Sequence, residues 1–248
     1  MADLPEGTEP DSMLVWWPVV RDIVPVPRTL IFSVPPDYPL LLEKLPYLID
    51  EGVIPPGWEA LGQQLEEMVK CMDVPFFLRT DLFSGKHHWK DTCYVDDASK
   101  LMQHLVELLQ FGEECSMLGF RHRAIVLREY LPLESDFTAF RGDMPVAKER
   151  RWFIADHKVI CRHPYWPKES MVRPSVADWE PRLAVLNTDT DEDMHTLMRY
   201  AGLVALAMDG AWSVDFAKTR DGRWVLIDMA TAAMSWHPEC PHAVSLRK

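Results

Sequence analysis

Two apolar segments near the end of the chain, residues 212–217 and 224–229, are separated by a short turn that contains Asp-Gly. Asp-Gly is a strong signal for a tight hairpin, so the segments are predicted to pair as antiparallel strands. Other apolar segments along the chain also alternate with helical patterns, but without regular strand–helix–strand order. This arrangement predicts an α+β fold with largely antiparallel sheets.

Periodicity predicts the remaining elements. Residues 13–36 contain several Val-Pro pairs and are expected to form short extended pieces, and residues 164–181 are expected to be irregular. Asp189–Asp193 is interpreted as an acidic helix start, which the helix dipole favours. The other predicted elements are strands at 29–34, 74–80, 92–95 and 124–132, a hairpin of 146–154 with 158–162, and helices at 39–50, 56–71, 97–111 and 189–208.

Composition excludes several classes of protein. A net charge of -12 argues against a surface that binds nucleic acid or anionic lipid throughout. No uninterrupted apolar stretch approaches the roughly 20 residues that cross a bilayer, and the acidic start is not a signal peptide. The five scattered cysteines form no Cys-x-x-Cys pair, which indicates a reducing compartment and predicts a cytoplasmic protein.

Asp215 and Asp228 each lie inside one strand of the predicted apolar hairpin. An isolated buried carboxylate costs several kcal/mol, on the order of 5, so each needs a partner. Mg²⁺ is one suitable partner, because it binds one or two carboxylates together with phosphate oxygens. A nearby arginine or lysine is the other, and spacing alone favours neither.

The chain has no glycine-rich phosphate loop of the P-loop or Rossmann type, and no nucleophile elbow or His-Glu-x-x-His motif. A phosphorylated ligand would therefore need basic side chains and metal-binding carboxylates. Arg79 and Lys90 flank a polar loop between two predicted strands, where they could hold a polyphosphate. A surface hairpin with solvated cations is the alternative, and it is favoured when this loop is considered alone.

A predicted strand that includes Leu127, Arg128, Glu129 and Tyr130 stops at Pro132. A strand edge that stops there leaves backbone groups that could read the edge of an adenine ring. The alternative is simply the end of a strand.

These motifs occur in an order that resembles the ATP-grasp superfamily, in the branch where arginine replaces the first ATP-binding lysine. More distantly, the chain is similar to the eukaryotic cell-division-cycle factor that assembles translation initiation factor two. The matched positions are Arg79, Leu82–Ser84, Lys90-Asp91, Leu127-Arg128, Glu149–Phe153, Arg162–Tyr165, Asp215 and Ile227–Ala230.

The resemblance implies an ATP-grasp fold of two lobes with ATP bound between them. It divides the chain into a disordered tail (1–12), an N-terminal region (13–73), a first lobe (74–130), a second lobe (131–236) and a C-terminal tail (237–248). It also implies a set of ATP-binding residues. These are Arg79 and Lys90 at the phosphates, and Leu127, Arg128, Glu129 and Tyr130 at the adenine.

The same resemblance assigns Asp215 and Asp228 to Mg²⁺ and makes Arg151 a catalytic residue that stabilises the transferred phosphoryl group. Lys148, close to Arg151, is assigned to catalysis with it. Ala230 occupies the position where the family pattern has a metal-binding asparagine, so one ligand of the pattern is missing.

The function that follows is an ATP-dependent ligase, in which a carboxylate is converted to an acyl-phosphate and passed to an amine or another nucleophile. The carboxylate and the nucleophile are not identified, and residues 164–187 are expected to form part of the acceptor pocket. The alternatives are a phosphotransferase and an ATP-binding assembly factor with little turnover. In the last case the tryptophan-rich stretch 166–179 is expected to be an exposed surface for a protein partner.

His237, Cys240 and His242 lie close together near the end of the chain and are metal-ligating residue types. Their spacing matches no standard zinc pattern, and two prolines interrupt them. A loose tail is therefore favoured over a metal site.

Overall fold

The computed structural model describes residues 4–33, 57–117, 121–141 and 143–242. The chain forms two compact units, of which the first comprises Met1–Leu14 and Arg28–Tyr130 and the second Val15–Pro27 and Leu131–Lys248. The predicted N-terminal region 13–73 is thus shared between the units. The predicted helix at 39–50 lies outside the described residues.

The first unit contains a four-stranded antiparallel sheet. The strand order is β1-β4-β2-β3, so β4 pairs on one side with β1 and on the other with β2. All four strands were predicted from the sequence. They are β1 (Thr29–Ser33), β2 (Phe76–Thr80), β3 (Tyr94–Val95) and β4 (Ala124–Glu129).

Two predicted helices cover one face of this sheet: α2 (Trp58–Val69) and α3 (Leu101–Met117). A 3-10 turn, Ala98–Lys100, precedes α3, and the Asp97 carboxylate accepts a hydrogen bond from the Ser99 backbone there. Leucines at helical spacing pack against alternate residues of the strands, as the periodicity predicted. The fully buried side chains of this core include Leu65, Phe76, Leu78, Leu105, Leu108, Ile125 and Leu127.

The prediction of extended pieces was wrong for α1 (Met13–Val20), which is helical although it contains Pro18. Proline removes one backbone donor from a helix. The helix also places three apolar side chains where they are fully buried, those of Met13, Trp16 and Val20. Burying such side chains contributes about 1.5–3 kcal/mol each, which outweighs one lost hydrogen bond. Ser12, in the predicted disordered tail, is buried and accepts from the Leu14 backbone.

The second unit contains another four-stranded antiparallel sheet, with the order β10-β9-β7-β8. Both predicted hairpins are present in it, and the α+β prediction is confirmed. One predicted strand, 146–154, is two strands separated at Lys148, and β5 was missed. The strands are β5 (Ser135–Ala139) paired with β6 (Met144–Ala147), and then β7 (Glu149–Ala155), β8 (Lys158–Pro164), β9 (Ala211–Lys218) and β10 (Trp224–Thr231).

The helices of this unit are α4 (Trp179–Leu186), in a stretch expected to be irregular, and α5 (Asp191–Ala207), which was predicted. A capping box begins α5, because the Thr190 hydroxyl and the Asp193 carboxylate each accept a hydrogen bond from the other residue's backbone. This confirms the acidic run as a helix start. Helix α5 packs on one face of the sheet, against β7, β8 and β10.

None of the helices in the described residues combines the length and apolar character needed to cross a bilayer.

Candidate functional site

Arg151, Asp215 and Asp228 lie side by side on three neighbouring strands of the second unit. Arg151 of β7 is opposite Asp215 of β9, which is opposite Asp228 of β10. A bulge between Leu226 and Asp228 sets this register. Cross-strand partners point to the same face of a sheet. We call these three residues the Arg–Asp row, and the sequence predicted all three as site residues.

The Arg151 guanidinium binds the Asp215 carboxylate with two parallel hydrogen bonds, Nε to Oδ1 and Nη2 to Oδ2, each 2.8 Å long. Burial acts to lower the pKa of Arg151, but the charge and hydrogen bonds of Asp215, together with Tyr165 and Asp228, raise it above its usual range. Arg151 therefore stays charged. Of the two partners that spacing left open for Asp215, the structure shows the basic side chain.

Other contacts fix the remaining members of the row. Asp228 is half-buried, and its Oδ1 accepts from the backbone of Met229 at 3.1 Å. Arg151 stacks over the Tyr165 ring at 4.7 Å and donates through Nη1 to the Trp236 carbonyl at 3.3 Å. A fixed guanidinium beside a half-buried carboxylate provides one group for phosphate oxygens and one for a divalent cation.

Lys148 lies on the opposite face of this sheet, towards α5. Its Nζ donates to Asp193 Oδ2 at 3.0 Å, while Lys218 and Trp224 donate to Asp193 Oδ1 at 2.7 and 2.9 Å. Lys148 precedes Arg151 by three positions, and an odd separation in extended chain places side chains on opposite faces. The structure therefore separates the two residues that were assigned to catalysis together.

Arg150 also belongs to this helix-facing side. Its guanidinium is fully buried and binds Asp189 at 2.6–2.7 Å, and Arg162 binds the other Asp189 oxygen at 2.7 Å. The basic cluster of Lys148, Arg150 and Arg151 is thus divided between two faces. Only Arg151 lies in the Arg–Asp row.

In the first unit, Arg79 and Arg128 share the face of the sheet that lies away from α2 and α3. Arg79 is opposite Val126, and Arg128 is opposite Phe77. Both arginines are buried; Arg79 Nε donates to the Thr80 carbonyl at 3.0 Å, and Arg128 Nε donates to the Thr29 hydroxyl at 3.2 Å. Two neighbouring guanidinium groups on one face suit an anionic ligand.

The open strand edge that the sequence suggested at Leu127 is not found. Leu127 pairs with Leu30 on one side and Leu78 on the other, and its side chain is in the core. The sequence showed where the strand ends but not that it is central in the sheet. Glu129 is still paired, and its backbone donates to the Arg28 carbonyl, so the chain leaves the sheet only at Tyr130.

Tyr130 joins an aromatic cluster with Trp89 and Tyr94. Trp89 and Tyr94 are stacked with their ring centres 5.5 Å apart, and Tyr130 packs edge-on against both, at 6.3 and 5.2 Å. Lys90, which follows Trp89, is exposed. The predicted phosphate-binding lysine therefore lies next to an aromatic surface that the sequence analysis did not identify.

Asp81 is a buried carboxylate that organises the loop after β2, and the sequence analysis placed it only in a polar loop. Its Oδ1 accepts from the backbones of Arg123 and Ala124 at 2.8 and 3.0 Å. Its Oδ2 accepts from the Ser12 hydroxyl at 2.5 Å. The signal for this role was an aspartate directly after an apolar strand, which is typical of a side chain that satisfies loop backbone groups.

A pocket of about 370 Å³ lies in the second unit, within the size range of small-molecule sites. Part of its wall comes from the stretch predicted to form the acceptor site. Trp166 contributes to this wall and is only 4% exposed, because its Nε1 donates to Glu149 Oε1. The predicted exposed tryptophan surface is therefore wrong at Trp166. The wall also includes His163, Pro164, Lys168, Glu180, Leu183, Asn187 and Trp236.

A family model described as ATP-grasp domain, clade family 3, matches residues 60–247. The chain belongs to this family. The resemblance recognised from the ordered motifs is therefore confirmed, and so is the ATP-grasp fold. No curated protein matches the chain.

Solved structures with a similar fold include Cdc123 from Schizosaccharomyces pombe, which is 13% identical, with a TM-score of 0.54 over 89% of this chain and 82% of that one. A RimK domain ATP-grasp protein from Sphaerobacter thermophilus is 11% identical, with a TM-score of 0.43 over 89% of this chain and 58% of that one. N5-carboxyaminoimidazole ribonucleotide synthetase from Thermotoga maritima is 9% identical, with a TM-score of 0.44 over 89% of this chain and 41% of that one. The chain thus spans less than two thirds of the last two proteins.

Proposed function

We propose that this protein is a magnesium-ATP-dependent ligase that activates a carboxylate as an acyl-phosphate and passes it to an amine or another nucleophile. The observation that carries the proposal is the Arg–Asp row in a chain of the ATP-grasp family. The assignments of Arg79, Lys90 and residues 127–130 to the nucleotide stay predictions. Lys148 is not included in the proposed site, because its partner is Asp193.

The donor atoms of the row suit Mg²⁺, which prefers carboxylate oxygens. Asp228 is the principal candidate ligand, since both oxygens of Asp215 hold Arg151. Ala230 supplies no side-chain ligand where the family pattern has asparagine. Bound Mg²⁺ would neutralise charge on the phosphates of ATP.

In the proposed reaction, a substrate carboxylate oxygen attacks the γ-phosphorus of ATP and ADP leaves. The acceptor nucleophile then attacks the acyl carbon, and inorganic phosphate leaves. Arg151 would contact the oxygens of the transferred phosphoryl group, where its permanent charge favours the transition state. Asp215 would act as a positioning residue, because its two hydrogen bonds fix the plane of the guanidinium.

The pocket beside Trp166 is the candidate acceptor site. Lys168 and Glu180, which pair with each other at 2.7 Å, lie on its wall together with apolar side chains. A pocket with one cationic and one anionic group suits a substrate that carries both a carboxylate and an amine.

The direct test is calorimetric titration with a non-hydrolysable ATP analogue, with and without Mg²⁺. We expect magnesium-dependent binding to the wild-type protein, and Asp228→Asn should weaken it at least tenfold. Asp221→Asn is the matched control, because Asp221 lies in the turn between β9 and β10, where its carboxylate binds Thr219 and Arg223 of the same turn. Equal binding by all three proteins, or no binding by the wild type, would refute the proposal.

Turnover is tested by screening pairs of carboxylates and amines for release of ADP. Release that requires both substrates supports a ligase, whereas release with a hydroxyl acceptor indicates a phosphotransferase. Ala230 favours a second candidate, an ATP-binding assembly factor with little turnover. Tight ATP binding without ADP release, together with co-purification of one protein partner, would support that function instead.

A further inference from the structure

Four metal-ligating side chains converge in the second unit. Cys161 and His163 are two positions apart in β8 and therefore point to the same face of the sheet. His237 and Cys240 come from the segment that follows β10. One ligand atom of each residue lies within 4.8 Å of those of the other three.

The separations suit a tetrahedral metal ion. Cys161 Sγ lies 3.2 Å from His237 Nε2, and Cys240 Sγ lies 3.6 Å from the same nitrogen. Zinc bonds of about 2.3 Å to sulfur and about 2.0 Å to nitrogen place the ligand atoms of a tetrahedron roughly 3.3–3.8 Å apart. The side chains thus need only small movements to bind one ion.

The histidines are oriented for coordination. His237 Nδ1 lies 2.6 Å from the Pro238 carbonyl, and donation of its proton there leaves the Nε2 lone pair facing the sulfurs. His163 Nε2 is buried and makes no hydrogen bond. Burial and the neighbouring His237 lower the pKa of His163 to about 4, so the ring is neutral at pH 7, as a ligand must be. Phe153 supports the His237 ring, with ring centres 4.3 Å apart.

The sulfurs are not placed as reactive thiolates. Burial and the adjacent Cys240 raise the pKa of the Cys161 thiol to about 12, whereas a reactive cysteine has a positively charged neighbour that lowers its pKa. Two thiols and two imidazoles in one cluster form a ligand set typical of zinc.

We propose that Cys161, His163, His237 and Cys240 bind a structural zinc ion that holds the segment after β10 against β8. Four protein ligands complete a tetrahedral site and leave no position for a substrate. The site is distinct from the Mg²⁺ site proposed at the Arg–Asp row, whose ligands are carboxylates. The structure differs here from the loose tail expected for residues 237–242.

The zinc site also has a consequence for the Arg–Asp row. Trp236, which precedes His237, accepts a hydrogen bond from Arg151 through its carbonyl. His163 is the cross-strand partner of Arg151 and lines the candidate acceptor pocket. Zinc would therefore fix one side of both the pocket and the arginine.

The test begins with elemental analysis of the purified full chain after exhaustive dialysis against metal-free buffer. We expect one zinc per chain in the wild-type protein and in Cys71→Ser, a matched control because Cys71 is exposed and lies elsewhere. His237→Ala and Cys240→Ala should lose the metal, with an affinity for added zinc at least about 100-fold lower. Zinc retained at wild-type stoichiometry in both variants would overturn the proposal.

Cobalt substitution of the wild-type protein decides the question even if the variants fail to fold. A tetrahedral site with two thiolates should give intense visible bands and sulfur-to-cobalt charge-transfer absorption, which added zinc abolishes. Weak octahedral bands, no stoichiometric binding of cobalt or zinc, or a Cys161–Cys240 disulfide in freshly purified protein would each overturn it. Metal content is measured without nucleotide, so failure here is distinguishable from failure of the proposed ligase function.

Discussion

The two faces of the sheet β10-β9-β7-β8 use buried charge in different ways. On the face towards α5, Asp189 and Asp193 are surrounded by donors, and Asp193 alone binds Lys148, Lys218 and Trp224. On the other face, the Arg–Asp row has one bidentate pair and the half-buried carboxylate of Asp228 beside it.

The comparison separates structural charge from charge available to a ligand. A buried charge saturated by protein donors has its desolvation cost met within the fold, so its loss should damage stability. A carboxylate beside a fixed guanidinium, on a partly accessible face, can exchange water for a cation or a phosphate. The same residue types therefore support the fold on one face and are proposed to support catalysis on the other.

The largest effect should come from Asp193→Ala, because it leaves two buried lysines without their shared carboxylate. We expect the free energy of unfolding, measured by urea denaturation, to fall by about 3–5 kcal/mol. A loss below about 1 kcal/mol would show that the helix-facing network is not structural.

The pH dependence of the same interaction has a definite sign. Burial acts to raise the pKa of the Asp193 carboxyl, but hydrogen bonds from Lys218, Lys148 and Trp224 outweigh burial and hold it well below its usual range. The stabilisation is therefore present at neutral pH and is lost as pH falls from about 4 towards the folded pKa. Asp193→Ala should reduce the acid sensitivity of unfolding between these limits.

Magnesium-ATP should stabilise the protein by about 2.7 kcal/mol at a free concentration 100 times its Kd. Asp228→Asn should lose most of this increment. Asp193→Ala should keep it, although its starting stability is lower, because Asp193 faces α5. Denaturation with and without the nucleotide measures both increments, and their equal loss would contradict the functional division between the faces.

A smaller effect is expected from Thr190→Ala, which removes one half of the capping box at the start of α5. The free energy of unfolding should fall by about 1 kcal/mol. Thr190→Ser keeps the hydroxyl and is the control, so it should stay close to the wild type in the same denaturation experiment.

The smallest effect should come from Glu180→Gln, which breaks the exposed pair with Lys168. Its side chain is 52% exposed, and an exposed ion pair contributes less than about 1 kcal/mol. Thermal unfolding should be nearly unchanged, while affinity for an acceptor substrate is the property expected to differ. Clear destabilisation would show that surface and buried pairs are not distinguished as we propose.

The sequence by itself predicted most strands and helices, because apolar periodicity and turn residues act locally. It also identified the Arg–Asp row, since a charged residue inside an apolar strand is conspicuous and the motif order matched the ATP-grasp family. It missed α1 and β5, and α4 fell in a stretch expected to be irregular. The Val-Pro pairs and the irregular composition in these regions concealed elements that burial and sheet pairing stabilise.

The tertiary structure alone decided which charges meet. Lys148 and Arg151 are close in sequence, yet alternation along the chain places them on opposite faces. Leu127 proved to be central in its sheet because β1 pairs with β4 from a distant part of the chain. Cys161 and Cys240 are far apart in sequence, and neither is part of a standard zinc motif. Local patterns specify elements, whereas coordination and ion pairing depend on distances between elements that pairing and packing set.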